Sequence, residues 1–428
     1  MTAFPADDLR REFPALAQAG DFLFFDNAAG AQVPANVLAA VTDHLVSRNV
    51  QRGGPYGRSQ EVDAMIARAR EAVAAFVNAR GPNEIAFGLN ATSFIRSISL
   101  AVGQTLGARP EIVVTDLDHE ANIATWVALE RAGARLVWWM IRGDGRLHLE
   151  DLEPLVSERT RLIACTVASN ATGTRVDVAA VARLAHAVGA EVLLDAVHYG
   201  PHGPIDVQAF DCDYLVCSGY KIFAPHMGFA WCRAEAINRL PTFREDFIPD
   251  VTPDKLEAGT YAYENVAGME AVVQYLERLG RRTGAASGAP RHAVVRAAME
   301  AIAAYERTLS AALLDAVQSI DGAAVHGVTD RGLLTDRVPT VSFTCEGVAS
   351  SAIAAQLAAV GIGARSGHMY APRLMQRLEL MPEGTVRVSL VHYNTLDEIA
   401  RFQERLEEVV AALRPTRRQA AAVPTADR

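Results

Sequence analysis

The sequence predicts an α/β protein with a large domain built on a mainly parallel sheet and a smaller α+β domain toward its C-terminal end. Short apolar runs in the middle of the chain alternate with helix-like segments, which is typical of parallel strands covered by helices on both faces. From about residue 266 the pattern changes to long helices and short, separated strands. At 428 residues the chain is long enough for two such domains.

Uninterrupted apolar runs define the strands expected in the large sheet. They cover residues 111–117, 135–141, 161–168, 191–196 and 213–218. A helical pattern over 177–190 separates the third run from the fourth. Because apolar strands and helices alternate in this way, we expect the strands to lie parallel.

The C-terminal part is expected to contain helices over 266–282 and 291–318, short strands over 340–345 and 385–391, and a last helix that ends at Leu413. Thr395 and Glu398 have capping-box spacing at the start of that last helix. We expect residues 20–265 to form the large domain, 1–19 with 266–414 the small domain, and 415–428 a disordered tail.

Composition excludes several classes of protein. The net charge of −9 and the absence of a Lys/Arg-rich run argue against a nucleic-acid surface. No apolar stretch is long enough to span a membrane, and no apolar signal core opens the chain, so a cytoplasmic protein is expected. The five cysteines lack CxxC spacing, which predicts neither a metal site nor disulfides.

Lysine is rare in this chain. Only Lys221 and Lys255 occur among 41 Lys and Arg residues. Arginine stays charged in proteins, whereas a lysine amine can lose its proton and react. Lys255 lies in the polar run TPDKLEAG and is interpreted as a surface residue. Lys221 directly follows an apolar run, which suggests a chemical role for its amine.

A carboxylate and an amine follow two successive predicted strands. Asp195 lies in the run 191–196, and Lys221 follows the run 213–218. The carboxyl ends of parallel strands meet at one edge of the sheet, where open α/β sheets bind ligands. Pyridoxal phosphate suits such a pair, because the amine forms a Schiff base with its aldehyde and the carboxylate keeps its pyridine nitrogen protonated. A buried Asp–Lys salt bridge explains the spacing equally well.

A phosphate site is suggested by the segment FGLNATSFIRSISLAV, residues 87–102. Asn90, Thr92 and Ser93 can cap the helix that follows, and its free N–H groups can bind an anion. A plain helix cap without a ligand is the alternative, and the segment taken alone favours it.

Nine ordered motifs resemble the class V, fold type I pyridoxal-phosphate enzymes, and most closely the cysteine desulfurase-like group. They extend from about residue 20 to 413 and read FFDNAAGAQVP, VQRGGPYGRS, GLNATSF, DLDHEANIATW, SNATGT, LLDAVHYGPHGPIDVQAFDCDYLVCSGYK, LEAGT, RSGHMYAPRLM and RVSLVHYNT. The resemblance implies a fold type I architecture, pyridoxal 5'-phosphate as cofactor, a small amino acid as substrate, and a homodimer whose active site is shared across the interface.

The resemblance also implies contacts to the cofactor. They are Ala91, Thr92 and Ser218 at the phosphate, His119 on the ring face, Asn170 at the phenolic oxygen, Asp195 at the pyridine nitrogen, Lys221 at the aldehyde, and Thr260 at the phosphate of the other subunit. His198 stands where a Gln commonly contacts the ring oxygen, and Tyr220 stands where a His commonly precedes the lysine. Arg387 would clamp the substrate carboxylate, with Arg52 and Arg365 near the substrate.

One position of the pattern lacks its thiol. In desulfurases of this kind, a cysteine two residues after the His of RSGHMYAP attacks the substrate sulfur, and here that position is Tyr370. A phenol is not a soft sulfur nucleophile, and no cysteine lies between residues 346 and 428. Lys221 is then expected to act as the general base at Cα, with His119 and Tyr370 as the other catalytic candidates. The favoured activity is cleavage of a Cβ–S bond or another β-elimination.

Other activities stay open. Without a leaving group at Cβ, the same residues would support transamination or epimerisation, as in a class V aminotransferase or an epimerase. A third interpretation is a non-catalytic homologue that inherited the fold, and the retention of Lys221 in so lysine-poor a chain argues against it.

Overall fold

The computed structural model describes residues 4–414, and the predicted disordered tail, 415–428, lies outside them. The described strands form a seven-stranded sheet, a four-stranded sheet and a two-stranded pair. Between residues 4 and 414, no helix is long and apolar enough to cross a membrane.

The elements follow the predicted order closely. The strands are β1 (Leu23–Phe24), β2 (Ile85–Gly88), β3 (Glu111–Thr115), β4 (Arg135–Trp139), β5 (Thr160–Thr166), β6 (Glu191–Asp195), β7 (Tyr214–Ser218), β8 (Gly228–Cys232), β9 (Ala323–His326), β10 (Thr340–Cys345), β11 (Ile362–Gly363), β12 (Arg365–Gly367) and β13 (Thr385–Ser389). The helices are α1 (Ala6–Arg10), α2 (Pro14–Ala17), α3 (Ala35–Ser47), α4 (Gly57–Val77), α5 (Ala91–Gly103), α6 (Ala124–Ala128), α7 (Leu149–Leu152), α8 (Val178–Ala187), α9 (Val207–Phe210), α10 (Ala234–Ile237), α11 (Tyr263–Arg282), α12 (Arg291–Gln318), α13 (Ser350–Ala359), α14 (Pro372–Arg377) and α15 (Leu396–Leu413).

The seven-stranded sheet has the order β2-β8-β7-β6-β5-β3-β4. Strands β7, β6, β5, β3 and β4 pair in parallel, and they coincide with the five apolar runs of the sequence. Strand β8 is antiparallel to both of its neighbours, β7 and β2. The predicted α/β fold with a mainly parallel sheet is confirmed, and it is extended at one edge by β8, which runs in the opposite direction, and by β2.

Hydrophobic cores cover both faces of this sheet. Along β7, Leu215 and Cys217 pack into one core, and Tyr214 and Val216 pack into the other. Side chains alternate across a strand, so an unbroken apolar run is what two covered faces require. Helices α4 and α11 contribute to the first core, and α5 to the second.

The four-stranded sheet is antiparallel, with the order β12-β13-β10-β9. A third core joins it to α15 and to the second half of α12, from Leu309 onward. The first half of α12 and all of α11 pack instead in the core of the large sheet. The predicted domain boundary at residue 266 stays a prediction, and this packing favours a boundary within α12.

Candidate active site

The two lysines are both buried, and they differ in what surrounds the amine. Lys255 Nζ lies 2.8 Å from the carbonyl oxygen of Leu240 and 2.8 Å from a carboxylate oxygen of Asp250. The surface interpretation of Lys255 is therefore wrong, because loop oxygens satisfy its ammonium inside the protein. Lys221 is 6% exposed, in a short turn after β7, and no group within 4–414 accepts a hydrogen bond from its Nζ. Its side chain lines a cavity instead.

Asp195 and Lys221 face this cavity together, as their places at the ends of β6 and β7 predict. Burial and the nearby charge of Arg387 lower the pKa of Lys221 to about 8. Burial raises the pKa of Asp195, and a 2.9 Å hydrogen bond from the N–H of Val197 opposes that shift. No ion pair within 4.0 Å joins Asp195 to Lys221 in the described chain, so a simple salt bridge does not account for the pair.

Helix α5 begins at the cavity, where the sequence predicts a phosphate cradle. Asn90 caps it through a capping box, and Ala91 and Thr92 line the cavity. The N–H of Ala91 lies 3.4 Å from the hydroxyl oxygen of Ser218, at the end of β7. Gly228 permits this close approach, since a Cβ there would lie 2.4 Å from the carbonyl carbon of Asn90. The first turn of the helix therefore offers N–H groups to an anion.

Two other predicted residues border the cavity from the loops after β3 and β5. His119 Nδ1 accepts a 3.0 Å hydrogen bond from the N–H of Ala121, and burial and the charge of Lys221 lower its pKa to about 4. The His119 ring is therefore uncharged near neutral pH. Asn170 is 6% exposed, and its Oδ1 has no hydrogen-bond partner in the described chain.

The two residues that depart from the family pattern also line the cavity. His198 Nε2 lies 3.0 Å from the hydroxyl oxygen of Thr340, and its buried Nδ1 has no partner among the described residues. The ring of Tyr220 stacks on that of His226, with the centroids 4.9 Å apart. Both departures keep a polar side chain at the cavity.

Two arginines share one carboxylate beside the cavity. Arg387, on β13, is 2% exposed, and its Nη2 lies 2.8 Å from Asp26 Oδ1. Arg365 lies opposite Arg387 on β12, and its Nε lies 3.0 Å from Asp26 Oδ2. Two guanidinium groups against one carboxylate leave a net positive charge, which suits the carboxylate of a substrate.

Tyr370 lies on a turn that other parts of the chain fix in place. Met369 and Tyr370 have φ values of +51° and +57°, in the left-handed region that side chains disfavour. Asn170 Nδ2 donates to the carbonyl of Met369 at 2.6 Å, and the N–H of Glu120 donates to that of Tyr370 at 2.8 Å. The Tyr370 ring is 58% exposed, with its centroid 5.7 Å from that of His119. The phenol thus stands at the mouth of the site.

Five of the predicted residues do not line this cavity: Arg365, Arg387 and Tyr370 lie beside it, and Arg52 and Thr260 lie apart from it. Arg52 and Thr260 line a second cavity, bordered by Phe247, which is 82% exposed. The hydroxyl oxygen of Thr260 accepts a 3.0 Å hydrogen bond from Gln51 Nε2. The resemblance places Thr260 at the phosphate of the other subunit, so its separation from Lys221 here is what a shared site requires.

The cysteines are all buried, and none of them lines the Lys221 cavity. Burial raises the pKa of every one, namely Cys165, Cys212, Cys217, Cys232 and Cys345. For Cys217, which follows Val216 on β7, the raised pKa is about 12. Inaccessible, protonated thiols are not nucleophiles.

The residues around the cavity fit pyridoxal 5'-phosphate. Lys221 supplies an amine without a hydrogen-bond acceptor, and Asp195 supplies a buried carboxylate. The start of α5 supplies N–H groups for a phosphate. Buried polar atoms of Asn170 and His198 lack partners in the described chain, as expected for atoms that face a polar ring.

Three residues of the site were not singled out from the sequence. Asp26 is part of the motif FFDNAAG, but its partners lie 339 and 361 residues away, which no local spacing reveals. Thr340 is likewise 142 residues from His198. Asp118 lies three residues after the end of β3, and burial raises its pKa to about 7. Of these three residues, only Asp118 could have been found from the sequence, because it is a polar residue that follows a buried apolar run.

Comparison with known proteins connects most of the chain to one family. A family model described as aminotransferase class V matches residues 23–402. The aminotransferase-like protein FGM3 of Gibberella zeae is 33% identical over 420 residues, which cover 96% of this chain and 99% of that protein. A probable cysteine desulfurase of Synechocystis sp. is 32% identical over 424 residues, which cover 95% of this chain and 96% of that protein.

Solved structures share the fold. The apo cysteine desulfurase of Thermococcus onnurineus NA1 superposes with a TM-score of 0.84 at 25% identity, covering 96% of this chain and 100% of that one. The cysteine desulfurase CsdA of Escherichia coli superposes with a TM-score of 0.82 at 24% identity, with the same coverage of 96% and 100%. The fold type I architecture that the motifs imply is thereby confirmed.

Proposed function

The chain belongs to the aminotransferase class V family, whose enzymes use pyridoxal 5'-phosphate, and within that family we propose that it eliminates a sulfur group from Cβ of a small amino acid. The observation that carries this proposal is Tyr370 at the mouth of the cavity, in the position of the sulfur-accepting thiol. Because no cysteine lines the cavity to accept the sulfur, the sulfur would be released into solvent and would not become bound to the protein.

The cavity would hold the cofactor through residues already described. Lys221 would bond its aldehyde carbon, Asp195 would pair with its pyridine nitrogen, and the start of α5 with Ser218 would bind its phosphate. His119, which lines the cavity and is uncharged, would lie against its ring face. When bound, the cofactor withdraws electrons from the substrate Cα, which makes the proton there removable.

The chain's own groups would then carry the proton transfers. Arg387 and Arg365 would orient the substrate through its carboxylate. The Lys221 amine would be freed when the substrate amine replaces it on the aldehyde carbon. With its pKa lowered to about 8, it would then take the proton from Cα as a general base. The Cβ–S bond breaks with its electron pair on sulfur, and the Tyr370 hydroxyl would donate a proton to that sulfur. Water then converts the unsaturated amine to a keto acid and ammonia.

Transamination is the second candidate, and a relative's name favours it. The Gibberella zeae protein that is 33% identical to this chain is named an aminotransferase-like protein. Transamination would use the same lysine and arginines, and it would return the proton to the cofactor side in place of breaking a bond at Cβ. Products therefore distinguish the two activities.

We also propose a homodimer with shared sites. Arg52 and Thr260 lie together at a cavity apart from Lys221, next to the exposed ring of Phe247. The phenyl group of Phe247 is 82% exposed, and its burial against a partner subunit would stabilise the dimer. In the dimer, each subunit would supply Arg52 and Thr260 to the other subunit's cavity.

The experiment follows the products of protein reconstituted with the cofactor. L-Cysteine, cystine and β-chloroalanine are supplied separately, and pyruvate, ammonia, sulfide and alanine are measured. Elimination predicts pyruvate, ammonia and sulfide in equal amounts from L-cysteine, with Lys221→Ala inactive. Alanine with protein-bound persulfide would contradict the proposal. Accumulation of the cofactor in its amine form would support transamination, and the absence of every product would indicate a non-catalytic homologue.

A further inference from the structure

His198 reaches the cavity from the large-sheet side, and its second nitrogen is held by the four-stranded sheet. Its Nε2 lies 3.0 Å from the hydroxyl oxygen of Thr340, the first residue of β10. Both side chains are buried, at 3% and 0% exposure. The His198 side chain lines the cavity, and its other ring nitrogen, Nδ1, has no hydrogen-bond partner in the described chain.

The His198 ring is uncharged and carries a single ring proton. Burial lowers its pKa well below the ordinary value, and the neighbouring His202 and the charges of Lys221 and Arg387 lower it further. The His202 ring lies 5.3 Å from that of His198 and binds Glu306 through its Nδ1 at 2.8 Å. Hydrogen bonding must therefore decide which nitrogen of His198 holds the proton.

Hydrogen-bond accounting favours the proton on Nδ1. In residues 4–414 the Thr340 hydroxyl has no acceptor other than His198 Nε2. If Nε2 carried the proton, both the hydroxyl hydrogen of Thr340 and the lone pair of Nδ1 would be unpaired inside the protein. If Nδ1 carries it, the hydroxyl donates to Nε2 and only the Nδ1 proton awaits a partner. Each buried unpaired group is costly, so the second arrangement is preferred.

We propose that Thr340 is a positioning residue that fixes His198 as an Nδ1–H donor toward the ring oxygen of the bound cofactor. The proposal rests on the cofactor placement given under Proposed function. It explains how a histidine serves at a position where the family commonly uses a glutamine, whose amide group is itself a donor. It also assigns to the four-stranded sheet a role in the electronic state of a cofactor held by the large one.

The test compares Thr340→Val, which removes the hydroxyl and keeps the shape, with Thr340→Ser, which keeps the hydroxyl. The holoenzymes are titrated with base while the absorption band of the bound cofactor is recorded. Losing the Nδ1–H donor disfavours negative charge on the ring oxygen, so T340V should raise the pH of the spectral change by about 0.5–1 unit. T340S should match the wild type. A T340V titration that coincides with the wild type would overturn the proposal.

Repeating the T340V substitution in a variant that lacks His198 distinguishes a positioning role of Thr340 from a general structural effect. In His198→Gln the donor no longer depends on a tautomer, so adding T340V should produce no further spectral shift. A full additional shift in H198Q would refute the proposal. If T340V does not fold, Thr340→Ala removes the same hydroxyl. Borohydride reduction and peptide mapping of the wild type test the cofactor placement separately: labelled Lys221 with an unshifted T340V rejects this inference alone, and unlabelled Lys221 rejects the placement itself.

Discussion

Asp26 holds Arg387 through a 2.8 Å ion pair between residues that lie 361 positions apart in the chain. The Arg387 side chain is almost fully buried, and Arg365 binds the second oxygen of the same carboxylate. The pair thus stabilises a buried cation and sets the direction from which a substrate carboxylate can approach it.

Asp26→Asn should destabilise the protein strongly. Removing the negative charge leaves the buried guanidinium of Arg387 uncompensated, which costs about 3 kcal/mol of unfolding free energy. Urea denaturation followed by circular dichroism measures the change. Asp321→Asn is the matched control, because Asp321 is 93% exposed where it pairs with Arg414, and such pairs contribute under ~1 kcal/mol. Equal losses in the two variants would show that Asp26 does not have this role.

Gly228→Ala should weaken cofactor binding. A Cβ at this position would lie 2.8 Å from the nitrogen of Ala91 and 2.4 Å from the carbonyl carbon of Asn90, so the start of α5 must move away from β8. Losing one well-placed phosphate contact would raise the dissociation constant of pyridoxal 5'-phosphate about tenfold. Equilibrium dialysis measures it. Gly143→Ala, where a Cβ meets nothing within 4 Å, should bind as the wild type does.

Tyr370→Phe should slow elimination in a way that depends on the leaving group. Removing a general acid typically costs about 100-fold or more in rate when the leaving atom needs a proton. Sulfide from L-cysteine needs one, whereas chloride from β-chloroalanine does not. Pyruvate formation should therefore fall steeply with cysteine and little with β-chloroalanine. An unchanged rate with cysteine would eliminate the proton role of Tyr370.

The Lys221 pKa predicts how cofactor uptake by the apoenzyme depends on pH. Burial and the charge of Arg387 lower this pKa from its ordinary value to about 8, so the reactive neutral amine dominates above pH 8 and the ammonium below it. The uptake rate should rise with pH and level off a little above 8. Arg387→Gln removes a charge that lowers the pKa, and its profile should shift to higher pH. Stopped-flow absorbance measures both, and a wild-type rate still rising at pH 10 would contradict the prediction.

The strands of the large sheet were predictable because burial on both faces leaves continuous apolar runs. Strands β2 and β8 were missed, since IAFG and GFAWC are short runs with glycine at an end. Asp195 and Lys221 were found because parallel strands bring their carboxyl ends together. The surface interpretation of Lys255 was wrong, because a polar local sequence does not reveal that carbonyl oxygens 15 and 17 residues earlier in the chain lie next to its amine.

Contacts between parts of the chain that are distant in sequence could not be predicted from local patterns. The partners of Asp26 and of His198 lie on strands more than a hundred residues away in the chain. Packing of the whole chain determines where those strands lie relative to the two residues. The ordered motifs suggested that such residues belong to one site. They did not reveal that Asn170 fixes the turn carrying Tyr370, because that contact uses the backbone of Met369.

Mixed dimers should reveal whether the active site is shared. If Arg52 serves the cavity of the other subunit, Lys221→Ala and Arg52→Gln are each inactive alone, but a dimer containing one of each has one complete site. Coexpression with two affinity tags isolates such mixed dimers, which should recover about half of the wild-type activity per dimer, from one of two sites. The control pairs Lys221→Ala with Asp195→Asn. Both residues line one cavity of one chain, so each subunit contributes a defective cavity and no activity should return. Recovery in the control, or none with Arg52→Gln, would exclude a shared site built on Arg52.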